Sequence, residues 1–172
     1  GNGLQEGIQM GPVVSKKHKE KVLSYIEKGI QEGAKLILDG RNIKVAGHPN
    51  GFYIGPTIFD DVHLDMAIAK EEIFGPVVAI VRAKNLDEGL KLIENSEYGN
   101  AACLYTTNGK TVREFKYRAV ASMMGINLGV AAPMSFFPFG GAKGSFFGDI
   151  KGHGREVFQF FTDTKVVIQR WT

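Results

Sequence analysis

Between residues 77 and 127, three short apolar runs alternate with two amphipathic stretches, and this rhythm leaves the chain few architectures to choose from. The runs are Val77-Val78-Ala79-Ile80-Val81, residues 101–105 and residues 123–127. Each is short enough to be a strand and too evenly apolar to have one wet face. Between them, Leu86, Leu90 and Ile93 share one helix face, and Val112, Phe115 and Ala119 share another. Strand, helix, strand, helix, strand predicts an α/β core: a parallel sheet covered by helices on both faces and joined by right-handed crossovers.

The flanks read differently. After Gly11-Pro12, Ser15 is placed to cap a helix in which Val22, Ile26 and Ile30 recur every four residues, and Gly29 or Gly33 can end it. Lys35-Leu36-Ile37-Leu38 reads as a strand, residues 40–51 as a polar segment with the turn Pro49-Asn50-Gly51, and Phe52-Tyr53-Ile54 and Thr57-Ile58-Phe59 as resumed extended chain, a surface hairpin. At the other end, Phe158, Phe160, Thr162, Thr164, Val166 and Ile168 alternate with Gln159, Phe161, Asp163, Lys165, Val167 and Gln169. That period of two predicts one long strand without a neighbour in sequence, suited to pairing with another subunit. The opening Gly1-Asn2-Gly3-Leu4-Gln5-Glu6-Gly7 reads as the middle of a loop and predicts a fragment of a longer chain.

Composition narrows the function classes. With 172 residues, 44% apolar and 23% charged, the chain suits one globular domain or a large piece of one. The net charge of +3 is dispersed, and the densest basic cluster, Lys16-Lys17-His18-Lys19, is broken by Glu20, which argues against nucleic acid as a partner. No apolar run approaches the roughly 18 to 20 residues that span a bilayer, so no membrane role is expected. A single cysteine forms no internal disulfide, which makes the cytoplasm, or a mitochondrial matrix in a eukaryote, the default compartment.

Most catalytic patterns fail on spacing. Gly140-Gly141-Ala142-Lys143-Gly144-Ser145 lacks the spacing of a phosphate-binding loop, and Gly1, Gly3 and Gly7 lack that of a dinucleotide loop. His18, His48, His63 and His153 occur singly, without metal-ligand spacing, and neither Ser135 nor Ser145 sits in a nucleophile elbow. Cys103 lies within Ala101-Ala102-Cys103-Leu104-Tyr105, which predicts a core thiol and not a nucleophile. No catalytic residue and no metal site is therefore assigned.

Glu72 is the exception. A carboxylate accepts two hydroxyl hydrogen bonds at once, which matches the vicinal diol of a ribose. Phe74, two residues on, lies on the same side of an extended backbone and can pack against a flat ring, and Gly75-Pro76 gives the pair a stiff mount before the strand at Val77. The competing readings are a solvated loop acid and a core phenylalanine.

The run Lys70-Glu71-Glu72-Ile73-Phe74-Gly75-Pro76-Val77 resembles the segment of the aldehyde dehydrogenase superfamily in which a glutamate holds the nicotinamide ribose of NAD. Met10-Gly11-Pro12-Val13, Gly55-Pro56-Thr57-Ile58-Phe59, Tyr98-Gly99-Asn100-Ala101-Ala102, Gly125-Ile126-Asn127 and Pro138-Phe139-Gly140-Gly141 occur in the order of that superfamily. A narrower likeness rests on Gly125-Ile126-Asn127-Leu128-Gly129-Val130, Ala132-Pro133-Met134, Phe136-Phe137-Pro138-Phe139 and Ser145-Phe146-Phe147-Gly148-Asp149, which are similar to the coenzyme A-acylating methylmalonate-semialdehyde dehydrogenase branch. Gly140-Gly141-Ala142-Lys143-Gly144-Ser145 and Gly152-His153-Gly154-Arg155-Glu156 look more like the superfamily at large.

The resemblance implies an oxidation of a semialdehyde through a cysteine thioester, with hydride passing to NAD, the acyl group to coenzyme A, and loss of carbon dioxide. It implies that residues 1–157 are the C-terminal part of the catalytic domain and residues 158–172 an oligomerisation strand joining subunits into a homo-oligomer. It assigns Glu72 and Phe74 to the cofactor, and Phe137 and Phe139 to the mouth of the aldehyde site. The nucleophile and the Rossmann domain belong to a missing N-terminal half, so the chain alone is expected to be inactive. Two alternatives are a branch that hydrolyses its thioester with water and a non-catalytic α/β interaction module.

Overall fold

In a computed structural model of the chain, residues 1–149 and 152–172 are described. They form two compact units, Gly1–Arg82 and Ala83–Thr172. The α/β expectation holds, but the strands divide between two sheets instead of forming one parallel series.

In the first unit, α1 (Lys16–Gln31) starts at Ser15, whose hydroxyl accepts the His18 N–H at 3.1 Å. Of the two glycines that can end it, Gly33 does so, in the left-handed region with φ 94°. Its N–H donates to the Ile30 carbonyl while the Ala34 N–H reaches Gly29, the paired bonds that close a helix C-terminus. Gly29 is instead buried on the inner face with Val22 and Ile26, whereas Ile30 turns out toward solvent.

The chain then enters β1 (Lys35–Leu38), which pairs antiparallel with β2 (Thr57–Asp60). A short α2 (Ala67–Lys70) carries it over to β3 (Val77–Ala79), parallel to β2 with Thr57 opposite Val77. Val22, Ile26, Ile54 and Phe59 are fully buried and form a core with Ile68 and Ile73. Helix-to-sheet packing thus makes one continuous apolar layer, worth roughly 25 cal/mol for each Å² removed from water. Arg82 closes the unit with hydrogen bonds to Asp60, one of them at 3.0 Å from Nε, and these hold the Asp60 carboxyl below its ordinary range.

In the second unit, β4 (Ala101–Leu104) and β5 (Met123–Ile126) are parallel, with α3 (Leu86–Asn95) before β4 and α4 (Gly109–Arg118) crossing between the two strands. Asn85 and Asn108 cap the helices through their side-chain oxygens. Leu90, Phe115 and Ala119 pack on Ala102, Leu104 and Ile126, so helices cover one sheet face. Alternation along β4 turns Cys103 to the other face, where it is exposed, and the expected core thiol is corrected accordingly. Its Sγ lies 4.0 Å from the Gly129 carbonyl.

Two polar side chains secure this unit. Asn127, at φ 55°, accepts the Thr106 N–H at 2.9 Å and donates to the Thr106 carbonyl at 3.1 Å, tying off β5 against the end of β4. The Lys143 ammonium donates to the carbonyls of Ile93, Glu94 and Ser96 at 2.8, 2.7 and 2.9 Å. It neutralises the C-terminal carbonyls of α3, the end of a helix where a cation is favoured.

The expected terminal strand does not begin at Phe158. Residues Glu156–Phe160 form a short helix, α5, and the Phe161 N–H donates to Val157. A strand without a neighbour leaves its backbone donors and acceptors unpaired, and local bonds satisfy them at lower cost. Residues 162–172 are exposed and belong to neither sheet. Among the described residues, no helix is long and apolar enough to cross a membrane.

Since Phe59 is fully buried where α1 meets the sheet, Phe59→Ala is expected to lower stability by about 3–5 kcal/mol in equilibrium denaturant unfolding. A loss below about 1 kcal/mol contradicts the close packing described at this site.

Candidate functional site

The segment after α2 is held at almost every residue but one. Glu71 accepts a hydrogen bond from the Tyr25 hydroxyl and lies 3.9 Å from the Lys28 ammonium, so it faces α1. The hydrogen bond to that carboxylate raises the Tyr25 pKa above its ordinary value. Ile73 is buried in the core of the first unit. At Phe74 the backbone turns left-handed, φ 59°, a region in which a bulky side chain is rare.

That turn is fixed from two sides. The Phe74 carbonyl lies 2.6 Å from His18 Nε2 and, as it can only accept, His18 donates from Nε2. Gly75 lies so close to α1 that a Cβ there would sit 2.7 Å from Val22 Cγ2. Beyond it, the Pro76 carbonyl accepts the Thr57 N–H at 2.8 Å, which delivers the chain into β3.

Glu72 stands between these anchors, exposed, with no hydrogen bond or ion pair to any described residue. Its neighbours leave it no internal work, and both carboxylate oxygens are open to a ligand. Phe74 is 75% exposed, far outside the core. Strand alternation does not set the pair's geometry, because the segment departs from extended backbone at Phe74. The two side chains share instead a short, clamped loop. A carboxylate in that setting can accept both hydroxyls of a diol, and an exposed ring beside it offers a flat apolar surface.

Phe137 and Phe139 belong to the second unit. The Phe137 ring meets Phe136 at a centroid distance of 4.7 Å, and Phe139 meets His153 at 5.6 Å. They remain 54% and 40% exposed. Backbone bonds hold their loop: the Phe139 N–H donates to Gly152 at 2.7 Å, and the Gly154 N–H to Ser135 at 3.1 Å. The structure therefore brings Glu72 together with Phe74 in one unit and Phe137 together with Phe139 in the other.

Lys143, in the stretch resembling a phosphate loop, is committed to the carbonyls ending α3. Among the described residues, no group of three His, Cys, Asp or Glu side chains is placed to hold a metal ion. His18 and Tyr25 are the site residues that sequence patterning missed. Their partners lie 56 and 46 residues away, and no local signal marks such pairs.

Residues 1–167 match the aldehyde dehydrogenase family. The chain is 50% identical over 171 residues to malonate-semialdehyde dehydrogenase 1 of Shouchella clausii (strain KSM-K16), covering 99% of itself and 34% of that protein. Among solved structures, methylmalonate-semialdehyde dehydrogenase from Oceanimonas doudoroffii superposes with a TM-score of 0.92 at 40% identity, over 98% of this chain and 34% of the other. The Mycobacterium tuberculosis aldehyde dehydrogenase complexed with NAD+ gives a TM-score of 0.80 at 37% identity, over 90% of this chain and 31% of the other. The chain thus spans about a third of the length of the curated relatives it matches. With matching sequence along nearly its whole length and the same fold, the chain belongs to the aldehyde dehydrogenase family.

Proposed function

We propose that these residues are the ribose-holding and substrate-mouth part of an NAD-dependent semialdehyde dehydrogenase that passes its acyl product to coenzyme A. The observation that carries the reading is the Glu72 carboxylate, without a partner among the described residues, on a loop clamped at His18, Ile73 and Gly75. A carboxylate paired within the protein would have to break that bond before taking a ribose diol. Among the described residues, Glu72 has no such bond to break.

Bound NAD supplies the hydride acceptor. Glu72 holds the nicotinamide ribose by accepting from its two hydroxyls, and Phe74 screens one side of the cofactor from water. Orienting a reactant in this way lowers the barrier by restricting it before reaction. Phe137 and Phe139 line the approach of the aldehyde, with their rings presented at a loop whose backbone is hydrogen-bonded in place.

The relatives' names support malonate or methylmalonate semialdehyde as the substrate class. In this reading the oxidised acyl group leaves on coenzyme A with loss of carbon dioxide. The nucleophilic cysteine and the Rossmann domain lie outside these residues, in a protein about three times as long. Without them the chain by itself turns over no aldehyde. Exposed Val166, Val167, Ile168 and Trp171 near the terminus support pairing of that segment with a second copy in a homo-oligomer.

In the full-length protein, Glu72→Gln is expected to weaken NAD binding in calorimetry and slow single-turnover hydride transfer roughly tenfold, the scale of one or two charged hydrogen bonds. Thermal stability is expected to stay unchanged, because the carboxylate is exposed and bonds none of the described residues. A wild-type rate together with wild-type NAD affinity contradicts the assignment.

Cys103→Ala tests the absence of a nucleophile from these residues. On an exposed strand face, the thiol is expected to be dispensable, and intact-mass measurement of the full-length variant with aldehyde should still show the covalent adduct. Loss of all adduct would make Cys103 the nucleophile and overturn the reading.

A further inference from the structure

We propose that His18 is a positioning residue for Glu72: by donating from Nε2 to the Phe74 carbonyl it holds the left-handed turn that keeps the ribose-gripping carboxylate in place. The proposal rests on the ribose role of Glu72 given above.

The physical argument starts from strain. Phenylalanine at φ 59° sits in a conformation that costs of order 1–3 kcal/mol and persists only when its surroundings impose it. On its N-terminal side the buried Ile73 imposes it by packing. On its C-terminal side Gly75 presses against Val22, a contact that fixes where the chain passes but not which way the Phe74 peptide faces. The facing of that peptide is set by its carbonyl, and the partner of the carbonyl is His18 at 2.6 Å.

His18 is itself well mounted. It lies in the first turn of α1, where its own N–H is bonded to the Ser15 hydroxyl, so helix capping and loop positioning meet in one residue. Losing the donor frees the Phe74 peptide to rotate toward ordinary backbone, and Glu72, two residues before it, moves with the loop.

Reach separates this role from a merely structural one. Glutamine carries its amide nitrogen as many bonds from Cα as His Nε2, whereas asparagine is one bond short. His18→Gln therefore keeps the contact and His18→Asn loses it, with little difference in polarity. Two readouts apply to the full-length protein. In the NAD-free protein, amide hydrogen exchange across residues 71–77 is expected to rise severalfold in His18→Asn and to match wild type in His18→Gln. At saturating NAD, single-turnover hydride transfer with malonate semialdehyde is expected to fall roughly three- to tenfold in His18→Asn and to return within about twofold in His18→Gln. Placed on Glu72→Gln, His18→Asn should add less than about twofold, because both act through one carboxylate.

Unchanged exchange in His18→Asn overturns the proposal whatever the kinetics. So does an equal added loss of rate with and without Glu72, which marks a general effect on the fold. If Glu72→Gln is slow while His18→Asn runs at the wild-type rate, His18 positions nothing and the ribose reading stands. A wild-type rate and NAD affinity in Glu72→Gln removes the ribose reading, and the proposal with it.

Discussion

The contact between α1 and the loop leading into β3 is the constraint on which the site depends. One helix face supplies the fully buried Val22 and Ile26 to the core, the Tyr25 hydroxyl to Glu71, and the His18 donor to Phe74. Val22 also sets the closeness at Gly75 that admits no side chain. The residues that stabilise the first unit and those that shape the loop are thus the same or adjacent. Stability and loop geometry are built from a single packing event, and loosening α1 would affect both.

This arrangement explains why Glu72 is left alone. Around it, Glu71 is turned to α1, Ile73 to the core, and the Phe74 carbonyl to His18. Each neighbour is used by the fold, whereas the exposed Glu72 carboxylate bonds none of the described residues. A carboxylate on well-held backbone binds at a lower ordering cost, since its geometry is preset. The exposed Phe74 ring fits the same account, because a side chain so open to water contributes little to the core.

Much of this was legible in the sequence, for identifiable reasons. Helix α1 could be read because Ser15, the buried face at Val22 and Ile26, and the glycine at its end are local signals. The elements β4, α4 and β5 could be read because apolar runs and a helical period mark them independently. Local signals do not say which strand pairs with which, and β3 joined β2 instead of β4. Cys103 was misplaced because an all-apolar strand conceals which face the helices cover. The period of two from Phe158 does not mark where a strand begins, because Phe158 and Phe160 lie in a short helix closed by local bonds. At the site, the residue types at 72 and 74 were visible, whereas the left-handed turn and its His18 anchor arise from chain segments far apart in sequence.

The most direct test of the central claim is a crystal structure of the full-length protein with NAD bound. The account predicts the two Glu72 carboxylate oxygens at about 2.5–2.8 Å from the 2′ and 3′ hydroxyls of the nicotinamide ribose, with the Phe74 carbonyl still on His18. A nicotinamide ribose held by other residues, with Glu72 left in solvent, would contradict it.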